Sequence, residues 1–122
     1  MSYYYSIRGW LEITPDSFVK VVGKIQSLQQ SYINDQKLGL YMNGWCWSET
    51  PINWSRYIFY GSDVTEEGIK LLDLVLQEIA NLKCQVCGYF HIQGEDGESN
   101  FMYKLNEDLI VSQPSDVLID IS

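Results

Sequence analysis

Tyr5-Ser6-Ile7-Arg8-Gly9-Trp10-Leu11-Glu12-Ile13, followed at once by Thr14-Pro15-Asp16, holds a strand and the start of a helix. Tyr5, Ile7, Gly9, Leu11 and Ile13 alternate with Ser6, Arg8, Trp10 and Glu12. A period of two puts one set of side chains on a single face, as a half-buried strand requires. Thr14 then offers an N-cap, Pro15 occupies the first helical position, and Asp16 places an acid in the first turn. Phe18, Val21, Val22, Ile25, Leu28 and Tyr32 recur at three- and four-residue steps, one stripe of an amphipathic helix that Asn34-Asp35 closes.

Working outward, the same two periods recur. Leu38, Leu40 and Met42 alternate with Tyr41, Asn43 and Trp45, which predicts a second strand over 37–48. Thr50-Pro51-Ile52-Asn53 reads as a loop, and Arg56 to Tyr60 as a short third strand ended by Gly61-Ser62. Thr65 is placed to cap a second helix, with Val64 and Ile69 spaced as a hydrophobic staple. Ile69, Leu72, Val75, Leu76 and Ile79 form its apolar stripe. Val86, Gly88, Phe90 and Ile92 alternate with Gln85, Cys87, Tyr89, His91 and Gln93, a fourth strand. Gly94-Glu95-Asp96-Gly97-Glu98 is a hairpin turn, and residues 101–105 pair back from it. Residues 106–108 turn into Leu109-Ile110-Val111, and Val117-Leu118-Ile119 reads as a short edge strand. The expected fold is α+β: an antiparallel sheet with two helices packed on one face, in the ferredoxin-like order β-α-β-β-α-β-β.

A chain of 122 residues with 46% hydrophobic content has the size of one domain with a real core, here residues 1–122 with 112–122 as a tail or edge strand. No run approaches the roughly 20 apolar residues of a membrane span. The first residues lack the basic and apolar regions of a secretory signal, and three cysteines do not make a disulfide framework. These features predict a cytoplasmic protein.

The charge is unevenly spread. Residues 1–61 carry five Lys/Arg and four Asp/Glu, a net of +1; residues 62–122 carry three Lys and twelve Asp/Glu, a net of −9. The total of −8 disfavours nucleic acid and anionic membrane and favours encounter with a basic partner. The plainer use of such a surface is solubility.

The chemistry-bearing residues do not assemble into a catalytic set. Cys84-Gln85-Val86-Cys87, with His91 and Cys46, offers ligand types that suit zinc. On a regular strand, though, Cys84 and Cys87 point to opposite faces, and Gln85-Val86 lacks the glycine of a knuckle turn. Cys87 and His91 share a strand face, but side chains at that spacing do not reach one another as nucleophile and base. Glu95, Asp96 and Glu98 do not follow a calcium-loop spacing. No metal, no cofactor and no catalysis is expected.

The aromatics carry more information. Trp10, Tyr41, Trp45, Tyr89 and His91 fall on the parity opposite the core residues of their predicted strands, with Trp47 and Trp54 nearby. With helices on one sheet face, these rings gather on the other, where exposed aromatics mark a protein interface. Sheet aromatics also stack nucleic-acid bases, a use that the −8 charge opposes.

Tyr5-Ser6-Ile7-Arg8-Gly9-Trp10-Leu11-Glu12-Ile13 running into a capped helix, Phe59-Tyr60-Gly61-Ser62 before a leucine-rich helix, and Gly88-Tyr89-Phe90-His91-Ile92 with its acidic Gly94-Glu95-Asp96-Gly97 hairpin together resemble the immunity protein 7 family. These are antidotes encoded with bacterial polymorphic toxins, including those of contact-dependent inhibition systems. The resemblance spans roughly residues 4–111. It implies inhibition of a cognate toxin domain by binding, with neither catalysis nor cofactor. Joined to the charge pattern, it nominates Glu95, Asp96, Glu98, Glu107 and Asp108 as acids that steer a basic toxin domain, such as a nuclease. Trp10, Trp45 and Tyr89 are the matching aromatic anchors. The rival expectation is a ferredoxin-like ligand-binding or dimerising regulatory domain.

Overall fold

A computed structural model describes residues 3–48, 50, 56–97, 99–106 and 109–114, the last six by their backbone course. Strand β1 (Tyr5–Ile13) is followed by helices α1 (Pro15–Ser31) and α2 (Gln36–Met42). Strands β2 (Trp45–Trp47) and β3 (Arg56–Val64), helix α3 (Glu66–Ala80), and strands β4 (Val86–Gly94), β5 (Asn100–Asn106) and β6 (Leu109–Pro114) complete the order. The strands form one antiparallel sheet in the order β2-β3-β1-β4-β5-β6. The α+β class and the antiparallel sheet agree with the sequence. Among the described residues no helix is long and apolar enough to cross a membrane.

β1 lies in the middle of the sheet, paired along its whole length with β3 on one side and β4 on the other. Its alternation decides which face is buried. Ile7, Leu11 and Ile13 join Ile58 and Val64 of β3 and Val86, Phe90 and Ile92 of β4. Against them lie Phe18, Val21 and Ile25 of α1 and Leu72, Val75, Leu76 and Ile79 of α3, in one continuous core. Each such side chain contributes roughly 1.5–3 kcal/mol when fully buried, so the helix-covered face dominates the stability of the fold.

Three expectations are corrected. Residues 37–48 are not one strand, because Asp35 accepts hydrogen bonds from the backbone N–H of Lys37 (3.0 Å) and Leu38 (2.8 Å) and starts a helix. Leu38, Tyr41 and Met42 then face inward at helical spacing, while Leu40, which the strand reading would bury, is 66% exposed. The described residues therefore hold three helices, not two. β3 also runs on through Gly61 and Ser62 to Val64, since Arg8, Ile7, Ser6 and Tyr5 of β1 continue the pairing.

The third correction concerns the caps. Thr14 and Thr65 occupy the N-cap positions of α1 and α3, but neither side chain caps its helix. The Thr65 hydroxyl instead accepts a hydrogen bond from buried Tyr41 Oη at 3.4 Å, and the Thr65 N–H donates to that same oxygen at 3.2 Å. Tyr60 Oη donates to the Tyr41 carbonyl at 2.8 Å. This buried network ties α2 to the end of β3 and the start of α3. Burial pushes the Tyr60 phenol up to about 12.

The hairpin between β4 and β5 forms as the sequence predicts. Gly94 N–H donates to the Ser99 carbonyl at 2.8 Å, and Gly97 takes a positive φ of 77° that a side chain would strain. Val117-Leu118-Ile119 lies outside the described residues.

Candidate partner-binding face

The helices cover one face of the sheet. On the other, β3, β1 and β4 align Phe59, Trp10 and Tyr89 in a single cross-strand row, because Trp10 is in register with both neighbours. Trp10 is 41% and Phe59 48% exposed, and Tyr89 is half-buried. The Trp10 and Tyr89 rings lie 5.3 Å apart, and Tyr57 stacks on Phe59 at 6.2 Å. Such contacts hold aromatic side chains in place before any partner arrives, which lowers the entropy cost of binding them. Cys46 extends the row at one edge and Lys104 at the other.

The anchors Trp10 and Tyr89 are thus brought together, but Trp45 is not with them. It is 5% exposed and packs from the opposite face, 4.7 Å from the Tyr60 ring and 5.8 Å from the Phe90 ring. The physical reason is the helix at 36–42: it breaks the strand whose parity was to set the direction of Trp45, and β2 restarts the count at Trp45 itself. Tyr41, read on the same parity, is buried within α2. Trp47 packs against the core, and Trp54 lies outside the described residues.

Gly9 makes room for this inner aromatic cluster. It sits in register between Tyr60 and Phe90, and a Cβ there would stand 2.2 Å from the Tyr89 carbonyl oxygen and 2.4 Å from the Phe90 ring. A residue that reads as one more small position in an alternating strand is a packing requirement.

Sequence parity missed Phe59 and Tyr57, although the signal was present. In Arg56-Tyr57-Ile58-Phe59-Tyr60 they alternate with Ile58 and Tyr60, both of which are buried in the core.

The acids expected from the sequence to steer a partner fall elsewhere. Glu95 and Asp96 are exposed at the β4–β5 turn, beside Gly94, which pairs with Tyr5. Trp10 is five residues further along β1, about 16 Å from that end of the sheet. The turn is tied to the N-terminal segment. Tyr4 N–H donates to Glu95 Oε1 at 3.1 Å, Glu95 N–H returns a bond to the Tyr4 carbonyl at 2.9 Å, and Tyr3 Oη donates to Asp96. The hydrogen bond to Asp96 raises the Tyr3 phenol above its usual range. Glu98, Glu107 and Asp108 lie outside the described residues.

His91 is 2% exposed, a correction to its expected place among the exposed aromatics of that strand parity. Cys87 lies four residues from it on the same strand, about 13 Å away. Burial and the neighbouring Glu12 carboxylate raise the Cys87 thiol above its usual range, the opposite of an activated nucleophile. Cys84 precedes β4 and is buried, Cys46 is exposed, and among the described residues no three metal-ligating side chains converge.

Set against known proteins, the chain matches no family model, no curated protein and no solved structure.

Proposed function

We propose that this chain is an immunity protein, which neutralises a cognate bacterial toxin domain in the cytoplasm of the producing cell by binding and covering it, without catalysis. The observation that carries the reading is the row Phe59–Trp10–Tyr89, three aromatic rings presented on an open sheet face. An exposed aromatic row of this kind has little use to an isolated chain, whereas aromatic side chains at the centre of an interface supply much of its energy. The net charge of −8 supports a basic partner, such as a nuclease domain with a phosphate-binding cleft. Glu95 and Asp96, at the hairpin end of the sheet, are the described acids placed to steer it. The resemblance to the immunity protein 7 family points the same way. Within the sheet, β1, α1, β2, β3, α3 and β4 with strand order β2-β3-β1-β4 support a ferredoxin-like arrangement, to which α2, β5 and β6 are additions.

The test is co-purification of the tagged chain with the C-terminal domain of the neighbouring large secreted protein, in rising salt. Tight binding that weakens with salt is the expected outcome; no binding at low salt would refute the immunity role. The same open face also serves the second reading, a ligand-binding or dimerising regulatory domain. Sedimentation separates the two, since a tight dimer that buries Trp10 would favour the rival.

A further inference from the structure

At the Glu12 end of the open face lies a cleft of about 330 Å³, whose polar lining is Glu12, Thr14, Gln85, Cys87 and Asn106. Three separate segments build it: the end of β1, the entry to β4 and the end of β5. Glu12 pairs across the sheet with Tyr57 on one side and Cys87 on the other, two positions along β1 from Trp10. Glu12 and Cys87 of the cleft thus stand two positions from Trp10 and Tyr89 of the aromatic row on the same two strands.

We infer that this cleft receives an arginine side chain of the protein partner, its guanidinium set against Glu12 while neighbouring apolar groups of the partner cover Phe59, Trp10 and Tyr89. The inference rests on the reading of this chain as the binder of a basic protein, and it states where the partner's charge lands.

The lining matches that chemistry. A guanidinium is planar, presents five N–H donors and takes a carboxylate well. Glu12 supplies the carboxylate, and Thr14, Gln85 and Asn106 supply further oxygen acceptors. The Glu12 carboxylate already accepts a bond from Cys87 Sγ at 3.9 Å, but a thiol is a weak donor and a carboxylate can accept several bonds at once. Burial and the neighbouring Glu12 hold the Cys87 thiol above its usual range, so Cys87 sets no thiolate against the cleft. Trp10, two positions along β1, and Tyr57, paired with Glu12 across the sheet, neighbour Glu12 on this face and offer rings on which an arginine plane or its aliphatic stem can stack.

Charge decides between occupants. A second copy of this chain would bring two bodies of net −8 together, and a nucleic acid would set phosphates against Glu12. A cationic side chain is the occupant that gains from both the cleft and the whole-molecule field.

Titrating the ¹⁵N-labelled full chain with N-acetyl-arginine amide, and separately with its uncharged citrulline analogue, tests this. The arginine probe should give saturable millimolar shifts at the amides of Thr14, Gln85, Cys87 and Asn106 and at the Trp10 indole, and the citrulline probe should not. Glu12→Gln should weaken the response about tenfold with an unchanged melting temperature, and Asp73→Asn, an equal change of charge on α3, should leave it intact. Absence of saturation, shifts confined to the hairpin, or equal binding of citrulline would each overturn the inference. So would a short oligothymidylate that shifts these residues while the arginine probe does not. Loss of toxin binding with the arginine response intact would sink the immunity reading alone. Toxin binding indifferent to Glu12→Gln, without a probe response, would remove the cleft and leave immunity standing.

Discussion

Two tryptophans on opposite faces of one sheet give separable experiments. Trp45→Ala removes a buried ring from between Tyr60 and Phe90, and should cost about 3–5 kcal/mol in urea-monitored unfolding. Trp10→Ala removes a partly exposed ring that lies between Phe59 and Tyr89 on the surface of the sheet, and should change stability by only about 1 kcal/mol or less. In binding of the proposed toxin partner the order should reverse: Trp10→Ala should cost about 2 kcal/mol or more by calorimetry. Equal stability losses in the two variants would contradict the assigned faces. Gly9→Ala belongs to the same scale. Its Cβ meets the Tyr89 backbone as well as the Phe90 ring, so side-chain rotation alone cannot relieve it. A loss of about 1–3 kcal/mol in denaturant unfolding is expected. Both the face of Trp10 and the face of Ile7 were legible from alternation in β1. The need for Gly9 was not, because it arises from a ring contributed by β4.

Among the elements, α2 shows how one polar side chain overrides a hydrophobic pattern. Leu38, Leu40 and Met42 fit a strand as well as a helix over so short a span, and Asp35 resolves the ambiguity by satisfying two N–H groups of the first turn. Asp35→Ala should cost about 1 kcal/mol, read as a lower thermal midpoint. The Tyr41–Tyr60–Thr65 network on which α2 docks carries its own signature. The folded Tyr60 phenol stands at about 12, above the usual 10 of an unfolded tyrosine. The folded state therefore holds the proton more tightly, so this contribution to stability is whole below pH 10. It is lost as pH rises from 10 to 12, when unfolding releases the proton. Denaturant midpoints measured across that window should fall, and Tyr60→Phe should flatten the fall. An equally steep fall in Tyr60→Phe would show that other groups cause it.

For the whole molecule, the acids and the aromatic row lie at different places on the chain's surface, so they should act on different steps of association. Glu95 and Asp96 project from a turn about 16 Å along the sheet from Trp10. Reversing Glu95, Asp96 and Glu98 to lysine should slow association with the proposed toxin domain at low salt and leave dissociation nearly unchanged. Stopped-flow rates over a salt series check this; a change confined to dissociation would place the hairpin inside the contact instead. An interface of standard size buries about 800 Å² per partner, enough to span both regions.

What the amino-acid sequence by itself determined is local and periodic. It specified the alternation of β1 and β4, the stripes of α1 and α3, the hairpin at Gly94-Glu95-Asp96-Gly97, and an acidic second half. Each of these follows from the repeat of strand or helix acting on a few neighbouring residues. Only the tertiary structure decided that Trp45 faces inward, that His91 is buried, and that Phe59 completes the row with Trp10 and Tyr89. It likewise gathered Glu12, Gln85 and Asn106 around one cleft. Those placements depend on strand register and on where the chain restarts its alternation after a helix. Pairing between strands far apart in sequence sets both, and no window of consecutive residues contains that information.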